Sequence, residues 1–235
     1  MPQTNFIKNR KLRILINGFN GNMGRAIQAQ CKKLSDIQIS DFQAKEFDLN
    51  SVSALIDFSA PDGFTEALNF CVENKIPFIS GTTGLSAKHL EGVTAAKKII
   101  PILIAPNMSL GIANLKSSIE KYLFSINASV SCKIIEIHHT NKKDSPSGTA
   151  LEIVRFLENC HADKIDGLID VESYRIGNIF GIHRIEFKSE EGITNFQHIA
   201  SCRDVFAKGA LLAARSINSM ETGEYSFADF LHKKL

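Results

Sequence analysis

A strand-like run meets a helix-like run at Leu12-Arg13-Ile14-Leu15-Ile16-Asn17-Gly18-Phe19-Asn20-Gly21-Asn22-Met23-Gly24, and this junction is the main indication of how the first half of the chain folds. The apolar residues before the three glycines are typical of a buried strand. After them, Met23, Ile27, Cys31 and Leu34 recur at helical spacing and predict an amphipathic helix. Glycines at such a turn let the backbone approach a pyrophosphate, and the helix N-terminus offers free N–H groups to it. The stretch therefore predicts a dinucleotide-binding turn.

The glycine spacing alone leaves a second interpretation open. Asn20 occupies the place of the second glycine in the usual G-x-G-x-x-G pattern, and a tight turn without a ligand would use the same residues. The chain downstream favours ligand binding, because strand-like runs at 37–40, 54–59, 76–80 and 100–105 are joined in part by helix candidates at 62–74 and 86–98. This alternation predicts a parallel sheet with helices on both faces.

The ends of these strands supply further candidates, because open α/β sheets bind ligands at the carboxyl ends of their strands. Asp41 lies at about the distance expected of an acid that binds the adenosine ribose, although a solvated aspartate would look the same. Lys45 is close enough to Asp41 in the sequence to bind a 2′-phosphate on the same ribose, so the choice between NADH and NADPH stays open. Asp57-Phe58-Ser59-Ala60-Pro61 and Gly81-Thr82-Thr83-Gly84 end two later strands, and the second offers small residues that suit a nicotinamide ring.

The pattern changes near Ala105-Pro106-Asn107, after which the chain predicts a sheet-rich unit with two helices. A helix candidate covers 109–124 and a strand covers 130–138; a second helix begins near Thr149, where Thr149-Ala150-Leu151-Glu152 has the form of a capping box. Alternating residues from 173 to 200 indicate strands, with a hairpin turn at 189–192. A last helix begins near Asp204 and could belong to either unit.

A charged loop joins the strand of this second unit to its helix, at Glu136-Ile137-His138-His139-Thr140-Asn141-Lys142-Lys143-Asp144-Ser145-Pro146-Ser147-Gly148-Thr149. Histidine supplies a proton near neutral pH, and lysine supplies a fixed positive charge. The helix start adds N–H groups that bind anions. Each feature by itself suits a packed ring or a solvated loop, but together they favour a site for a small anionic substrate. A metal is not expected, because adjacent histidines point to opposite sides of a strand.

Composition excludes several other classes of protein. Hydrophobic residues make up 44% and charged residues 22% of 235, as in globular proteins, and the formal charge is +2. We therefore expect neither a nucleic-acid partner nor a membrane partner. The five cysteines form no CxxC pair, which predicts a reducing cytoplasm and no disulfide framework.

Several motifs resemble those of the 4-hydroxy-tetrahydrodipicolinate reductase (dihydrodipicolinate reductase) family. The most specific is Glu136-x-His138-His139-x-x-Lys142-x-Asp144-x-Pro146-Ser147-Gly148-Thr149-Ala150. The others occur in the family's order: Gly18-x-x-Gly21-x-Met23-Gly24, Ile56-Asp57-Phe58-Ser59, Gly81-Thr82-Thr83-Gly84, Ala105-Pro106-Asn107-Met108-Ser109-Leu110-Gly111, Arg175-x-Gly177, Gly181-x-His183 and Phe206-Ala207-x-Gly209-Ala210. The resemblance covers nearly the whole chain.

The resemblance implies an α/β fold with two domains. A Rossmann-like, parallel-sheet nucleotide-binding domain is expected over 1–108, with 204–235 returning to it. An α+β domain with a mixed, largely antiparallel sheet is expected over 109–203, where it binds substrate and forms a homotetramer. The implied reaction is reduction of the cyclic dicarboxylate 4-hydroxy-tetrahydrodipicolinate to tetrahydrodipicolinate by NADH or NADPH, in lysine and diaminopimelate biosynthesis.

The matching positions imply roles for individual residues. His138 is expected to be the acid/base residue and Lys142 the second catalytic or orienting group. His139, Ser147, Gly148 and Thr149 are expected to bind the substrate. The expected cofactor-binding residues are Gly18, Asn20, Gly21, Asn22, Met23, Gly24, Asp41, Phe58, Gly81, Thr82, Thr83, Ala105, Pro106, Asn107 and Met108.

One departure from the family and two alternative functions remain. The segment from Asp41 to Ser53 is shorter than the family's, so the contact with the adenosine ribose stays open. The first alternative is another two-domain NAD(P)-dependent dehydrogenase, but thiol-dependent aldehyde chemistry needs a base beside a cysteine, and Cys132, Cys160 and Cys202 have no such setting in the sequence. The second is a cofactor-sensing regulator, for which no recognition helix or basic stripe is evident.

Overall fold

The structure is a computed structural model that describes residues 11–231. Its contacts divide the chain into two units, one formed by the residues up to Ala105 and from Ala210 onward, and the other by Pro106–Gly209. The predicted domain ranges, 1–108 with 204–235 and 109–203, stay a prediction of where the functional domains begin and end.

The first unit contains a six-stranded sheet in which every pairing is parallel. Its strands are β1 (Leu12–Asn17), β2 (Ile37–Asp41), β3 (Ala54–Asp57), β4 (Phe78–Ser80), β5 (Pro101–Ile104) and β10 (Gly223–Tyr225), in the spatial order β10-β5-β4-β3-β1-β2. The helices are α1 (Asn22–Cys31), α2 (Pro61–Asn74), α3 (Ala87–Ala96) and α6 (Asp204–Ser216), which continues into this unit from the other. The prediction of a Rossmann-like parallel sheet is confirmed.

Burial explains why these strands form the centre of the unit. All four residues of β3 are buried, as are Ile14, Leu15 and Ile16 of β1, and a sheet covered on both faces needs such continuous apolar runs. Phe64 of α2 packs edge-on against Phe78 of β4. Between β2 and β3 the chain forms only a short 3-10 turn, Leu49–Ser51.

The second unit is built on a four-stranded mixed sheet, as predicted. Its strands are β6 (Ser131–His138), β7 (Asp170–Arg175), β8 (Gly181–Ser189) and β9 (Gly192–Ala200), in the order β7-β6-β8-β9. The pair β6 and β7 is parallel, and the other two pairs are antiparallel. Helices α4 (Leu110–Ser125) and α5 (Gly148–His161) share an apolar core with one face of the sheet, through residues that include Ile119, Leu123, Ile134, Ile153, Leu157 and Phe187.

One detail of the predicted elements is wrong, one strand was not predicted, and one turn is confirmed. The cap of α5 is Ser147, whose Oγ accepts a hydrogen bond from Ala150 N at 3.2 Å; Thr149 therefore lies inside the helix, and Glu152 instead pairs with Lys116 at 2.9 Å. The sequence also gave no sign of β10, because a three-residue strand beginning with glycine carries no periodic signal. The predicted hairpin is present, since Ser189 pairs with Gly192. Among the helices within residues 11–231, none combines the length and the apolar character needed to cross a bilayer.

Candidate active site

The glycine turn of the first unit has the backbone geometry that a bound phosphate needs. Gly18 has φ +84°, and a Cβ there would collide with the carbonyl oxygen of Phe58. A Cβ at Gly24 would collide with the carbonyl oxygens of Gly18 and Phe19. Gly21 caps α1 without a side chain, and Asn22 and Met23 open the helix with no acidic residue in its first turn. The first N–H groups of α1 therefore face a cradle that suits a pyrophosphate.

A buried aspartate connects the loops beside this turn. The carboxylate of Asp57, fully buried at the end of β3, accepts hydrogen bonds from Asn17 Nδ2 at 2.9 Å, Ser80 Oγ at 2.7 Å and Thr82 Oγ1 at 2.7 Å. It also accepts one from Ser59 Oγ at 2.6 Å. The ends of β1, β3 and β4 are thus held together by the side chain of Asp57, whose segment was a predicted ligand-binding candidate but whose hydrogen-bond network was not predicted. A polar residue that ends a buried strand was the available signal.

The other predicted cofactor residues lie at different places around these loops. The ring of Phe58 lies against Gly81, where a Cβ would collide with it, while Thr82 is buried and Thr83 is exposed. Asp41 ends β2, and its Oδ1 accepts a hydrogen bond from Gln43 N at 3.0 Å. Asn20 is exposed at the glycine turn. The cofactor roles of all these residues stay predictions.

The predicted cofactor segment that follows β5 is divided between the two units. Ala105 belongs to the first unit, whereas Pro106, Asn107 and Met108 belong to the second. Asn107 is buried there and donates a hydrogen bond from Nδ2 to Thr149 Oγ1 at 2.8 Å. A residue predicted to hold the cofactor therefore contacts one predicted to bind the substrate.

In the second unit, strand alternation brings Glu136 and His138 to the same buried face of β6. Glu136 Oε2 is hydrogen-bonded to His138 Nδ1, and Glu136 Oε1 pairs with Arg175 Nη1 at 2.9 Å. Ser147 N donates to the same Oε1 at 3.3 Å. Burial alone would raise the pKa of Glu136, but hydrogen bonds from His138, Ser173 and Arg175 outweigh it and lower the pKa to about 2. Glu136 is therefore ionised near neutral pH.

A second histidine lies beside this pair. His183 of β8 is the register partner of Glu136, its ring centroid is 5.1 Å from that of His138, and its Nε2 is 3.2 Å from Ser147 Oγ. Burial, with a smaller contribution from the charge of His138, lowers the pKa of His183 to about 3, so this ring is neutral at physiological pH.

Glu136, His138 and His183 bring their oxygen and nitrogen atoms within 4.8 Å of one another, a combination of side chains that can hold a metal ion. The prediction that no metal binds rested on the adjacent His138 and His139 alone and did not include this set, because His183 comes from another strand. Glu136 Oε1 also pairs with Arg175, and Ser147 is hydrogen-bonded to both Glu136 and His183.

The predicted anion site at the start of α5 holds an internal carboxylate. Lys142 Nζ pairs with Asp144 Oδ1 at 2.9 Å, and Gly148 N donates to Asp144 Oδ2 at 3.3 Å. Burial raises the pKa of Asp144, but Lys142 and the backbone donors lower it by more, so the net effect is a lower pKa. Asp144 is exposed, so its side chain can leave both donors to another carboxylate.

The remaining predicted substrate residues differ in how accessible they are. His139 is half-buried, and burial together with the positive charge of Arg203 lowers its pKa. Ser147 is buried, and its backbone N–H and hydroxyl both have partners within the protein. A cysteine nucleophile is not supported by Cys132, because burial raises its pKa to about 12.

Together these groups bring a histidine paired with a carboxylate, a lysine and a helix N-terminus into one unit. His138 Nδ1 is hydrogen-bonded to Glu136, and Nε2 faces Gly181, where a Cβ would lie 3.0 Å from it. Lys142 and the first amide of α5 bind a carboxylate. The arrangement can donate a proton and hold an anionic molecule.

Two family models match most of the chain. The one described as "Dihydrodipicolinate reductase, N-terminus" matches residues 34–108, and the one described as "Dihydrodipicolinate reductase, C-terminus" matches residues 111–231. The protein named 4-hydroxy-tetrahydrodipicolinate reductase from Alkaliphilus metalliredigens is 35% identical, covering 94% of this chain and 99% of its own. The protein of the same name from Campylobacter lari is 36% identical with the same coverage.

A solved structure shares the fold. It is described as "Dipicolinate bound Dihydrodipicolinate reductase from Paenisporosarcina sp. TG-14" and aligns with a TM-score of 0.71 at 19% identity, covering 92% of this chain and 97% of that one. The family is one of oxidoreductases, and with the Rossmann-like sheet it implies a nicotinamide cofactor. Matches over both parts of the chain and relatives aligned over nearly its full length show that it belongs to the dihydrodipicolinate (4-hydroxy-tetrahydrodipicolinate) reductase family.

Proposed function

We propose that this protein reduces 4-hydroxy-tetrahydrodipicolinate to tetrahydrodipicolinate with NADH or NADPH, in the biosynthesis of lysine and diaminopimelate. One observation carries the proposal: a histidine paired with a buried carboxylate lies in the same unit as a lysine and a helix start that already bind a carboxylate. A proton donor beside an anion site suits the reduction of a cyclic dicarboxylate.

The first unit binds the cofactor in this proposal. The cradle formed by Gly18, Gly21 and Gly24 suits the pyrophosphate, because no side chain intrudes and the first N–H groups of α1 are free of side-chain caps. When bound, the cofactor supplies a hydride. The loops held by Asp57 border the same strand ends and orient the nicotinamide half.

The second unit binds the substrate and provides the proton. Lys142 and the amides of Gly148 and Thr149 hold one substrate carboxylate, which displaces the Asp144 side chain from the same donors. Negative charge builds at the far end of the conjugated system when the ring is reduced, and His138 donates a proton there, directly or through water. The dipicolinate ligand of the structural neighbour supports a cyclic dicarboxylate as the ligand class.

Two measurements test this function in sequence. Calorimetric titration of the protein with NADH and with NADPH should give saturable binding of at least one cofactor. An assay with freshly generated cyclic substrate should then show oxidation of the reduced cofactor at a rate proportional to the enzyme concentration. Cofactor binding without any substrate-dependent oxidation would contradict the proposed reaction, and binding of neither cofactor would contradict the role of the first unit.

We further propose that the protein is a cytoplasmic homotetramer. The face of the second sheet that turns away from α4 and α5 carries exposed Ile193 and Ile199 on β9, with the polar Asn195 and Gln197 between them. Exposed apolar side chains on a sheet face favour stacking against another copy. Light scattering should give four times the mass of the chain, and Ile199→Asp should lower it. A monomeric mass for the unaltered protein would contradict this.

Free thiols at Cys31, Cys71, Cys132 and Cys202 support a reducing compartment.

A further inference from the structure

We propose that Glu136 is a positioning residue that fixes the tautomer of His138, with the proton on Nδ1 and with Nε2 as the atom that exchanges protons with substrate. This inference rests on the proposed reductase function. It adds a residue that acts through His138 without contacting the substrate.

The partners of Glu136 determine which way its hydrogen bonds run. Arg175 Nη1, at 2.9 Å, and Ser147 N, at 3.3 Å, can only donate, so Oε1 accepts from both. The carboxylate is ionised, so Oε2 can only accept as well. His138 Nδ1, which is hydrogen-bonded to Oε2, must therefore carry the hydrogen. In the neutral ring, Nε2 is then the unprotonated nitrogen.

The Nε2 side of the buried His138 ring faces Gly181. Gly181 lies there without a Cβ, and a Cβ would come within 3.0 Å of Nε2. The charged and titratable groups around the ring come from each neighbouring segment: Glu136 on β6, Arg175 on β7, His183 on β8, and His139 and Lys142 in the loop after β6. Of these groups, Glu136 is the one hydrogen-bonded to Nδ1, and its carboxylate accepts the Nδ1 proton.

The proton balance of the reaction follows from this arrangement. The doubly protonated ring carries one positive charge, and its Nδ1–H donates to the Glu136 carboxylate, which is also paired with Arg175. When the substrate is reduced and the cofactor oxidised, the Nε2–H bond breaks and its proton bonds to the substrate atom that has gained the electron pair. The ring is left neutral with its Nδ1–H still donating to Glu136. Solvent then reprotonates Nε2.

Replacing Glu136 by glutamine reverses the hydrogen bond without removing side-chain volume. The amide oxygen must face Arg175 and Ser147 N, because both are donors. The amide NH₂ then faces His138 Nδ1, which must become an acceptor, so the neutral ring carries its hydrogen on Nε2. Protonating Nδ1 would set two donors against each other. Glu136→Gln therefore leaves a folded site whose histidine cannot serve as the acid.

The experiment combines nitrogen NMR with kinetics. In protein labelled with ¹⁵N-histidine at alkaline pH, the His138 signal, assigned by its loss in His138→Gln, should show an unprotonated Nε2. In Glu136→Gln the same nitrogen should be protonated, and kcat should fall by about 10²-fold or more while KM changes little. The matched control is Glu152→Gln, which removes another ion pair of this unit and should change neither readout.

Two results would overturn the inference. One is a wild-type His138 protonated on Nε2; the other is an unchanged tautomer and kcat in Glu136→Gln. If that variant does not fold, the wild-type spectrum alone decides, because it requires no substitution. The tautomer is measured without substrate, so a protein that shows the expected tautomer but no turnover would contradict the proposed reaction and leave the role of Glu136 standing.

Discussion

The glycine turn of the first unit and the charged loop of the second both prepare the protein to bind anions, but they do so by different means. At the turn, the backbone geometry makes room for an anion: Gly18 has a positive φ, and a Cβ at Gly24 would collide with carbonyl oxygens. At the loop, side-chain charges attract the anion: Lys142 pairs with Asp144 at 2.9 Å, and the buried Glu136 pairs with Arg175. Backbone sites fail when a side chain is added, and charged sites fail when one is removed or neutralised.

The largest effect is expected at the charged loop, from His138→Gln. Loss of the proton donor should lower kcat by about 10²–10⁴-fold. KM should change little, because His138 is proposed to act when charge develops and not in binding the carboxylates. Steady-state kinetics with the cyclic substrate measures both values. A variant with near-normal kcat would exclude His138 as the donor.

At the turn, Gly18→Ala should break cofactor binding. The added Cβ collides with the Phe58 carbonyl, and φ +84° is unfavourable for alanine, which costs about 1–3 kcal/mol. The Kd for the reduced cofactor, measured by calorimetry, should rise by roughly tenfold or more, since ~1.4 kcal/mol corresponds to tenfold.

Gly92→Ala is the matched control for that change. Gly92 lies inside α3, where a Cβ would make an ordinary 3.6 Å contact with Leu68. It should leave the Kd unchanged and favour the helix slightly. Equal Kd values for the two alanine variants would show that the glycine cradle does not hold the cofactor.

Lys142→Ala tests whether the charge of the loop holds the substrate. We expect KM to rise by about tenfold, or ~1.4 kcal/mol, with a smaller fall in kcat because the reacting carbon is less well placed. Lys143→Ala is the control, since Lys143 is the exposed neighbour in the same loop. If kcat and KM of Lys142→Ala both stay within about twofold of wild type, the anion site has been assigned to the wrong residues.

The last effect concerns pH, to which the buried residues beside the charged loop should be sensitive. His183 is neutral in the folded protein with a pKa of about 3, whereas the unfolded chain binds a proton below about pH 6.5, so its contribution to stability is lost as pH falls from about 6.5 towards 3. Glu136 acts in the same direction at lower pH, because its folded pKa of about 2 lies below the ordinary 4.5.

Thermal unfolding at a series of pH values measures this dependence. The midpoint temperature of the wild-type protein should decrease as the pH is lowered from about 6.5 to 4. The midpoint temperature of His183→Gln should decrease less over the same interval, because this variant has no buried ring to protonate. Parallel profiles for the two proteins would contradict the assignment of His183 as a buried neutral ring.

The two regions also differ in how far the sequence could predict them. Gly18, Gly21 and Gly24 lie close together in the chain, and their spacing between a strand and a helix was enough to predict the turn. The same holds for Lys142 and Gly148, which the loop itself brings to one carboxylate. Local spacing also predicted both sheets, because alternation and βα repetition are short-range signals.

Long-range partners could not be predicted in the same way. Arg175 and His183 reach Glu136 only because β7 and β8 pair with β6 in one register, which single-sequence patterns do not specify. The Asp57 network likewise joins residues from three strand ends. The capping box at Thr149 was wrong for a local reason, since Ser147 competes for the same helix start and is the residue that caps it.

The most direct test of the central claim follows the hydride itself. Wild-type protein should be incubated with the cyclic substrate and reduced cofactor carrying deuterium at the transferred position of the nicotinamide, and the product should be examined by mass spectrometry. The proposed function requires tetrahydrodipicolinate that contains deuterium from the cofactor. Product formed without the label, or label retained in the cofactor while both ligands are bound, would contradict it.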